Sequence, residues 1–202
     1  MLRAGQPGRL GYTRAMPTTK LLLPNGFYLS PIAQGDQAAY VEHLNAPEIH
    51  LYTDNIPYPY TAADAEWWVS FRATAAQPGA PETLFALRRA DGYLIGSVGV
   101  GDGEVGPTTV AELGYWLAKP YWGQGLMTAA VTVFCRYAFE VLQVHKLEAK
   151  VFDENAASGR VLEKCGFKLE GYIREHAYRR GAFLDDREYG LLRSEWAARQ
   201  GN

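Results

Sequence analysis

Residues 114–130 read GYWLAKPYWGQGLMTAA: an apolar strand ends in a short loop holding Gly123 and Gly125, and an amphipathic helix begins directly after it. The first turn of a helix leaves backbone N–H groups without partners, and its dipole favours negative charge there. Glycines ahead of it let a phosphate reach the main chain without meeting a side chain. The stretch therefore reads as a cradle for a diphosphate, although glycines between strand and helix also serve simply to turn the chain. A dinucleotide-binding fold is disfavoured, because no GxGxxG occurs and the strands before the loop form hairpins rather than βαβ units.

Working outward, Phe27 to Ile32 is a first strand and Asp36 to Leu44 a helix with Asp36 as its N-cap. Pro47 to Tyr52 forms a short helical turn. Two prolines in Ile56-Pro57-Tyr58-Pro59-Tyr60 exclude a regular interior element. Thr61 and Asp64 have the spacing of a capping box in its aspartate form and open a helix running to about Ala76. Thr83 to Arg89 and Tyr93 to Val100 are strands joined by an Asp91-Gly92 turn, and Thr109 to Leu117 is a third. Apolar residues at helical spacing mark Leu126 to Val141. A strand over His145 to Phe152 leads to a helix over Asn155 to Lys164, closed by Gly166. Lys168 to His176 and Phe183 to Leu192 finish the pattern as strands around Arg180-Gly181.

The chain has 202 residues, 48% hydrophobic and 21% charged, as expected of a globular protein with one substantial core. A net charge of -2 gives no support to nucleic-acid binding, and no apolar run is long enough to span a membrane. Residues 1–19 contain basic residues but no apolar signal-peptide core and read as a flexible leader to a domain over residues 20–200. The two cysteines, Cys135 and Cys165, form no CxxC pair and read as reduced thiols of a cytoplasmic protein. The four histidines show no metal-ligand spacing, so no metal is expected. Symmetry base rates make a homodimer plausible, with no residue to mark its interface.

Four short motifs occur in order: Glu112-Leu-Gly-Tyr-Trp-Leu, Pro120-Tyr-Trp-Gly-Gln-Gly, Asn155-Ala-Ala-Ser158 and Glu163-Lys-Cys-Gly-Phe167. Together they resemble the GNAT superfamily of acetyl-CoA-dependent N-acetyltransferases, in particular the branch of bacterial ribosomal-protein N-terminal acetyltransferases. The resemblance covers about residues 20 to 196, including the Ile56-Pro-Tyr-Pro-Tyr segment and a late Gly181-Ala-Phe-Leu-Asp185 turn. It implies an α+β fold: a strongly twisted mixed sheet whose central strands splay to admit coenzyme A.

On that resemblance, backbone amides from Trp122 through Gly123, Gln124 and Gly125 to Leu126, with Met127 beside them, hold the diphosphate. Tyr115, Trp116 and Leu117 pair with the pantetheine arm as another strand would. The family's loop often opens with Arg or Gln where this chain has Pro120, which removes a donor but leaves the main-chain groups. Glu112 is the candidate general base for an attacking amine, with a surface carboxylate as its alternative. Asn155 and Ser158 lie on one helix face; Asn155 contacts the pantetheine amide or simply caps the helix, and Ser158 reaches the departing sulfur. Many relatives place a proton-donating tyrosine four residues beyond Ser158, where this chain has Leu162. Arg160, with Lys164, can meet the 3′-phosphate.

Among the early aromatics, Trp67 and Trp68 cannot both face the core, and Tyr58 and Tyr60, on the proline-stiffened loop, are the acceptor-site candidates. Arg174, Arg179 and Arg180 read as a solvated hairpin. The expected reaction is acetyl transfer from acetyl-CoA to a primary amine by direct attack, without a covalent enzyme intermediate. A protein or peptide N-terminus is the acceptor implied. A small-molecule amine, or a non-catalytic coenzyme-A-binding module, are the alternatives.

Overall fold

Every residue of Leu94–Val100 is buried, which requires cover on both faces of that strand. The computed structural model, which describes residues 20–75, 80–101, 103 and 105–201, supplies it. The strands are β1 (Leu21–Leu22), β2 (Tyr28–Pro31), β3 (Leu84–Arg88), β4 (Leu94–Val100), β5 (Val110–Leu117), β6 (Lys146–Phe152), β7 (Lys168–Arg179) and β8 (Ala182–Leu192). The helices are α1 (Gln37–Leu44), α2 (Pro47–Tyr52), α3 (Ala62–Ala75), α4 (Leu126–Glu140), α5 (Ala156–Cys165) and α6 (Arg193–Gln200). Helices α1 and α4 both pack on β4. The leader expected over residues 1–19 lies outside the described residues.

The sheet runs β1-β2-β3-β4-β5-β6-β8-β7, antiparallel except for β5 with β6. That parallel pair holds only over Val110↔Lys146, Ala111↔Leu147 and Glu112↔Glu148. Beyond Glu112 the strands part, while β5 stays paired to β4 as far as Leu117. This is the splay that the family resemblance implies, and the fold is the mixed α+β sheet expected.

Local chemistry explains most element boundaries. Asp64 Oδ2 accepts the Thr61 N–H at 2.8 Å and Thr61 Oγ1 accepts the Asp64 N–H at 3.2 Å, completing the anticipated box before α3. The Thr61 hydroxyl, which also donates to this carboxylate, holds Asp64 below its ordinary pKa. Asn155 caps α5 by accepting the Ser158 N–H at 3.1 Å, and Gly166 ends it in the left-handed region. On α4, Phe134 and Tyr137 meet Phe85 of β3 edge-on, with centroids 6.2 and 5.0 Å away.

Four expectations need correction. Asp36 makes no side-chain cap; its oxygens accept Arg88 Nη1 and Nη2 at 2.6 and 2.8 Å, because a buried guanidinium demands a paired carboxylate. Strand β7 runs on to Arg179 through an irregular stretch rather than stopping at His176. The chain after Leu192 turns into α6, whose Glu195 accepts the Leu192 N–H at 3.2 Å and whose Trp196 stacks on Phe139. Arg179 is no solvated group: it donates to the Thr53 and Asp54 carbonyls and pairs with the Asp54 carboxylate at 3.3 Å. Trp67 is the exposed member of its pair, while Trp68 packs partly against the core.

Candidate active site

The parting of β5 from β6 opens a cleft of about 840 Å³, walled by both strands, by the starts of α4 and α5, and by α2 with residues 53–56. Its size is that of a small-molecule site. Antiparallel pairing alternates the direction of backbone polar groups. Ala118 donates to the Ile95 carbonyl at 2.8 Å, so alternation sends Trp116 and Gly114 to β4 and turns Leu113, Tyr115 and Leu117 toward the gap.

Among the grouped strand residues, Tyr115 therefore faces the cleft with its backbone. Leu117 does too, but its carbonyl already accepts Trp122 Nε1 at 2.6 Å. Trp116 also lines the cleft, but it turns its backbone to β4 and its ring onto Tyr40 and His43, at centroid distances of 5.8 and 6.5 Å.

At the loop, Gly123 and Gly125 both have φ +74, a conformation L side chains avoid, and a Cβ at either would meet nothing within 4 Å. The bare main chain thus lies open where α4 starts, and Gly125, Leu126 and Met127 line the cleft. The Trp122 N–H is committed to the Lys119 carbonyl at 3.1 Å and so is not a free donor as expected. Gln124 does not line the cleft; its side chain donates to the Pro120 carbonyl at 3.0 Å and braces the loop. Among the described residues, no side chain comes within 4 Å of the space a Cβ would take at either glycine, so the first turn of α4 meets the cleft through its main chain.

Glu112 sits at the vertex, the last residue of β5 paired to β6. Its side chain is 59% exposed and its carboxylate lies 3.6 Å from Lys150 Nζ. Across the gap, Ser158 Oγ is 2.7 Å from the Tyr115 hydroxyl. Burial, chiefly, pushes the Tyr115 phenol up, so it keeps its proton at neutral pH. Asn155 also lines the cleft, its oxygen occupied by the cap. Arg160 and Lys164 line the same wall.

The proposed acceptor aromatics lie elsewhere. Tyr60 is buried in the core beside Tyr40, where burial pushes its phenol up to about 12. Tyr58 is exposed and stacked on His50, outside the cleft lining. Tyr52 and Ile56 line the wall instead. Sequence reading also missed the Tyr115 hydroxyl, the Arg179 clamp, and the pair His176 and Asp186; a tyrosine or histidine in a strand carries no local mark of what it faces. Neither cysteine lines the cleft, and burial raises both thiols.

A sheet split between two parallel strands, with a glycine-led helix start at its mouth, is the architecture of acyl-coenzyme-A transferases. The chain belongs to the acetyltransferase (GNAT) domain family, which matches residues 27–168. It is similar to a probable N-acetyltransferase, YjcK, of Bacillus subtilis: 39% identity over 103 residues, 51% of this chain and 57% of that protein. It is also similar to the ribosomal protein uS5 alanine N-acetyltransferase of Escherichia coli, at 31% over 84 residues, 42% of this chain and 43% of that protein. The chain thus spans about half the length of the curated relatives it matches. Among solved structures, Mycobacterium smegmatis RimJ in complex with CoA-disulfide aligns with TM-score 0.72 and 25% identity, covering 91% of this chain and 93% of that one. A spermidine N-acetyltransferase from Vibrio cholerae, in complex with CoA and spermine, shares the fold at TM-score 0.72 and 23% identity, covering 85% and 98%.

Proposed function

We propose that residues 20–200 form a domain that transfers the acetyl group of acetyl-CoA to a primary amine. The observation that carries this is the stretch of β5 beyond Glu112 that β6 leaves unpaired, opening beside the N-terminus of α4. Acetyl-CoA brings an activated thioester. The first-turn amides of α4 hold its diphosphate, Tyr115 offers its backbone to the pantetheine arm, and Arg160 with Lys164 supplies positive charge for the 3′-phosphate.

The amine enters from the α2 side and attacks the acetyl carbon directly; no thiol faces the cleft to form an acyl-enzyme. Glu112 attracts the ammonium group and accepts its proton, directly or through water. The Ser158 hydroxyl stabilises the departing sulfur, and the Tyr115 phenol, 2.7 Å from Ser158 Oγ, braces that hydroxyl.

The acceptor we favour is a polypeptide N-terminus. Among the described residues, each carboxylate lining the cleft has a cationic or histidine partner: Glu48 with Lys119, Asp54 with Arg179, Glu112 with Lys150, Asp186 with His176. Such a balanced lining suits one ammonium group better than a polyamine, and the similarity to a ribosomal-protein alanine N-acetyltransferase points the same way. The test is thiol release from acetyl-CoA against a panel of N-terminal peptides, polyamines and amino acids. Turnover confined to peptides supports the reading; turnover confined to polyamines, or none at all, overturns it.

A further inference from the structure

Strand β7 is irregular where it borders the cleft. Between the pairs Ile173↔Asp186 and Ala177↔Leu184, three residues of β7 stand against Asp185 alone on β8. Such bulges re-aim side chains and gather beside active sites. Here Glu175 takes a left-handed φ of 52°, and Asp185 holds the excursion by accepting the Glu175 N–H at 2.7 Å and the Tyr172 hydroxyl at 2.6 Å. The result is that His176 Nδ1 lies 2.6 Å from Asp186 Oδ2, and both residues line the same cleft as Glu112 and Ser158.

The two members differ in burial. The Asp186 side chain is 6% exposed, while the His176 ring is 43% exposed. Asp186 Oδ1 is buried with no hydrogen-bond partner among the described residues. A buried carboxylate needs a donor, and among the described residues the His176 ring is the group that reaches it, which it serves with the proton on Nδ1. That bond assigns the proton to Nδ1 and leaves the lone pair on Nε2, the edge not held by Asp186. A carboxylate that fixes the tautomer and direction of an imidazole is the arrangement of a general base.

Resting on the acetyl-transfer reading above, we infer that His176, positioned by Asp186, is a second proton acceptor for the attacking amine. Nε2 takes one proton from the amine nitrogen as its lone pair forms the N–C bond. The C–S bond breaks, and its electron pair leaves on sulfur, which is protonated from the Ser158 side or from water. The imidazolium then returns its proton to solvent. Arg179, on the same strand, bonds Thr53 and Asp54, which sets this part of β7 beside the α2 wall where the acceptor enters.

The test uses the full chain and a peptide acceptor that the wild-type protein acetylates. For His176→Gln we expect kcat to fall at least about tenfold, with the KM for acetyl-CoA within twofold. Asp186→Asn should fall by a similar factor, and the double variant no further than the worse single, as for residues acting as one unit. Full kcat in His176→Gln, with Glu112→Gln inactive, overturns the proposal while leaving acetyl transfer intact. A wild-type protein that binds acetyl-CoA yet acetylates nothing removes both. Nitrogen-15 shifts of the His176 ring in the wild-type protein decide the tautomer without turnover or mutation: neutral Nδ1–H supports the assignment, and neutral Nε2–H overturns it.

Discussion

The Tyr115 hydroxyl lies 2.7 Å from Ser158 Oγ, joining β5 to the first turn of α5 across residues 43 apart in the chain. The phenol also reaches the Ser158 carbonyl at 3.2 Å; when it donates to Oγ instead, the serine proton is free to point into the cleft. Tyr115→Phe should therefore lower kcat about tenfold, leave the Kd for acetyl-CoA within twofold, and cost about 1 kcal/mol of stability. Combined with Ser158→Ala it should add little, since both changes break the contact between the two hydroxyls. Steady-state kinetics of the four proteins checks this; independent, multiplicative losses would contradict the coupling.

Gly125 adopts φ +74 with open space where a Cβ would stand, so a larger side chain there costs backbone strain without a clash. Gly125→Val should weaken acetyl-CoA binding at least tenfold, or about 1.4 kcal/mol, by standing where the diphosphate meets the main chain. Gly181, at φ +78 and equally uncrowded but outside the cleft lining, is the control: Gly181→Val should bear similar strain and bind normally. Calorimetric titration of both variants separates strain from blockage.

Arg179 ties the β7–β8 hairpin to the segment after α2. Arg179→Ala should raise the acceptor KM several-fold, leave acetyl-CoA affinity unchanged, and speed hydrogen exchange at residues 53–56. Unchanged exchange there would mean the segment is held by other contacts.

His43 is buried against Tyr93 and Trp116, with Glu42 3.7 Å away, and burial holds its pKa below the ordinary 6.5. As pH falls below 6.5 the unfolded chain binds the proton first, so stability present above that pH is lost until the folded value is passed. The drop in Tm between about pH 7.5 and about pH 5.5 should shrink in His43→Gln; an equal drop would assign it to other groups.

Much of the fold was legible because its signals are local. The Asp91-Gly92 turn, the Thr61 and Asp64 box, the helical spacing of α4 and the Gly166 stop each act within a few residues. The glycine loop was legible for the same reason. Asp36 was misread because a good capping residue is also a good partner for a buried guanidinium, and Arg88 lies 52 positions away. Tyr60 was misread because prolines around a loop say nothing of which ring it tucks inward. His176 was passed over since its partner depends on a bulge whose register only the paired strands define. Long-range pairings, not local preferences, decide which side chains share the cleft.

The gap between β5 and β6, with the open main chain at Gly125, is where acetyl-CoA is expected to sit, and every other role follows from that placement. Isothermal titration of the protein with acetyl-CoA tests it most directly. Saturable one-to-one binding is predicted, weakened at least about tenfold by Gly125→Val and left intact by Gly181→Val. No heat from a protein that still unfolds cooperatively, or equal binding by all three, would contradict it.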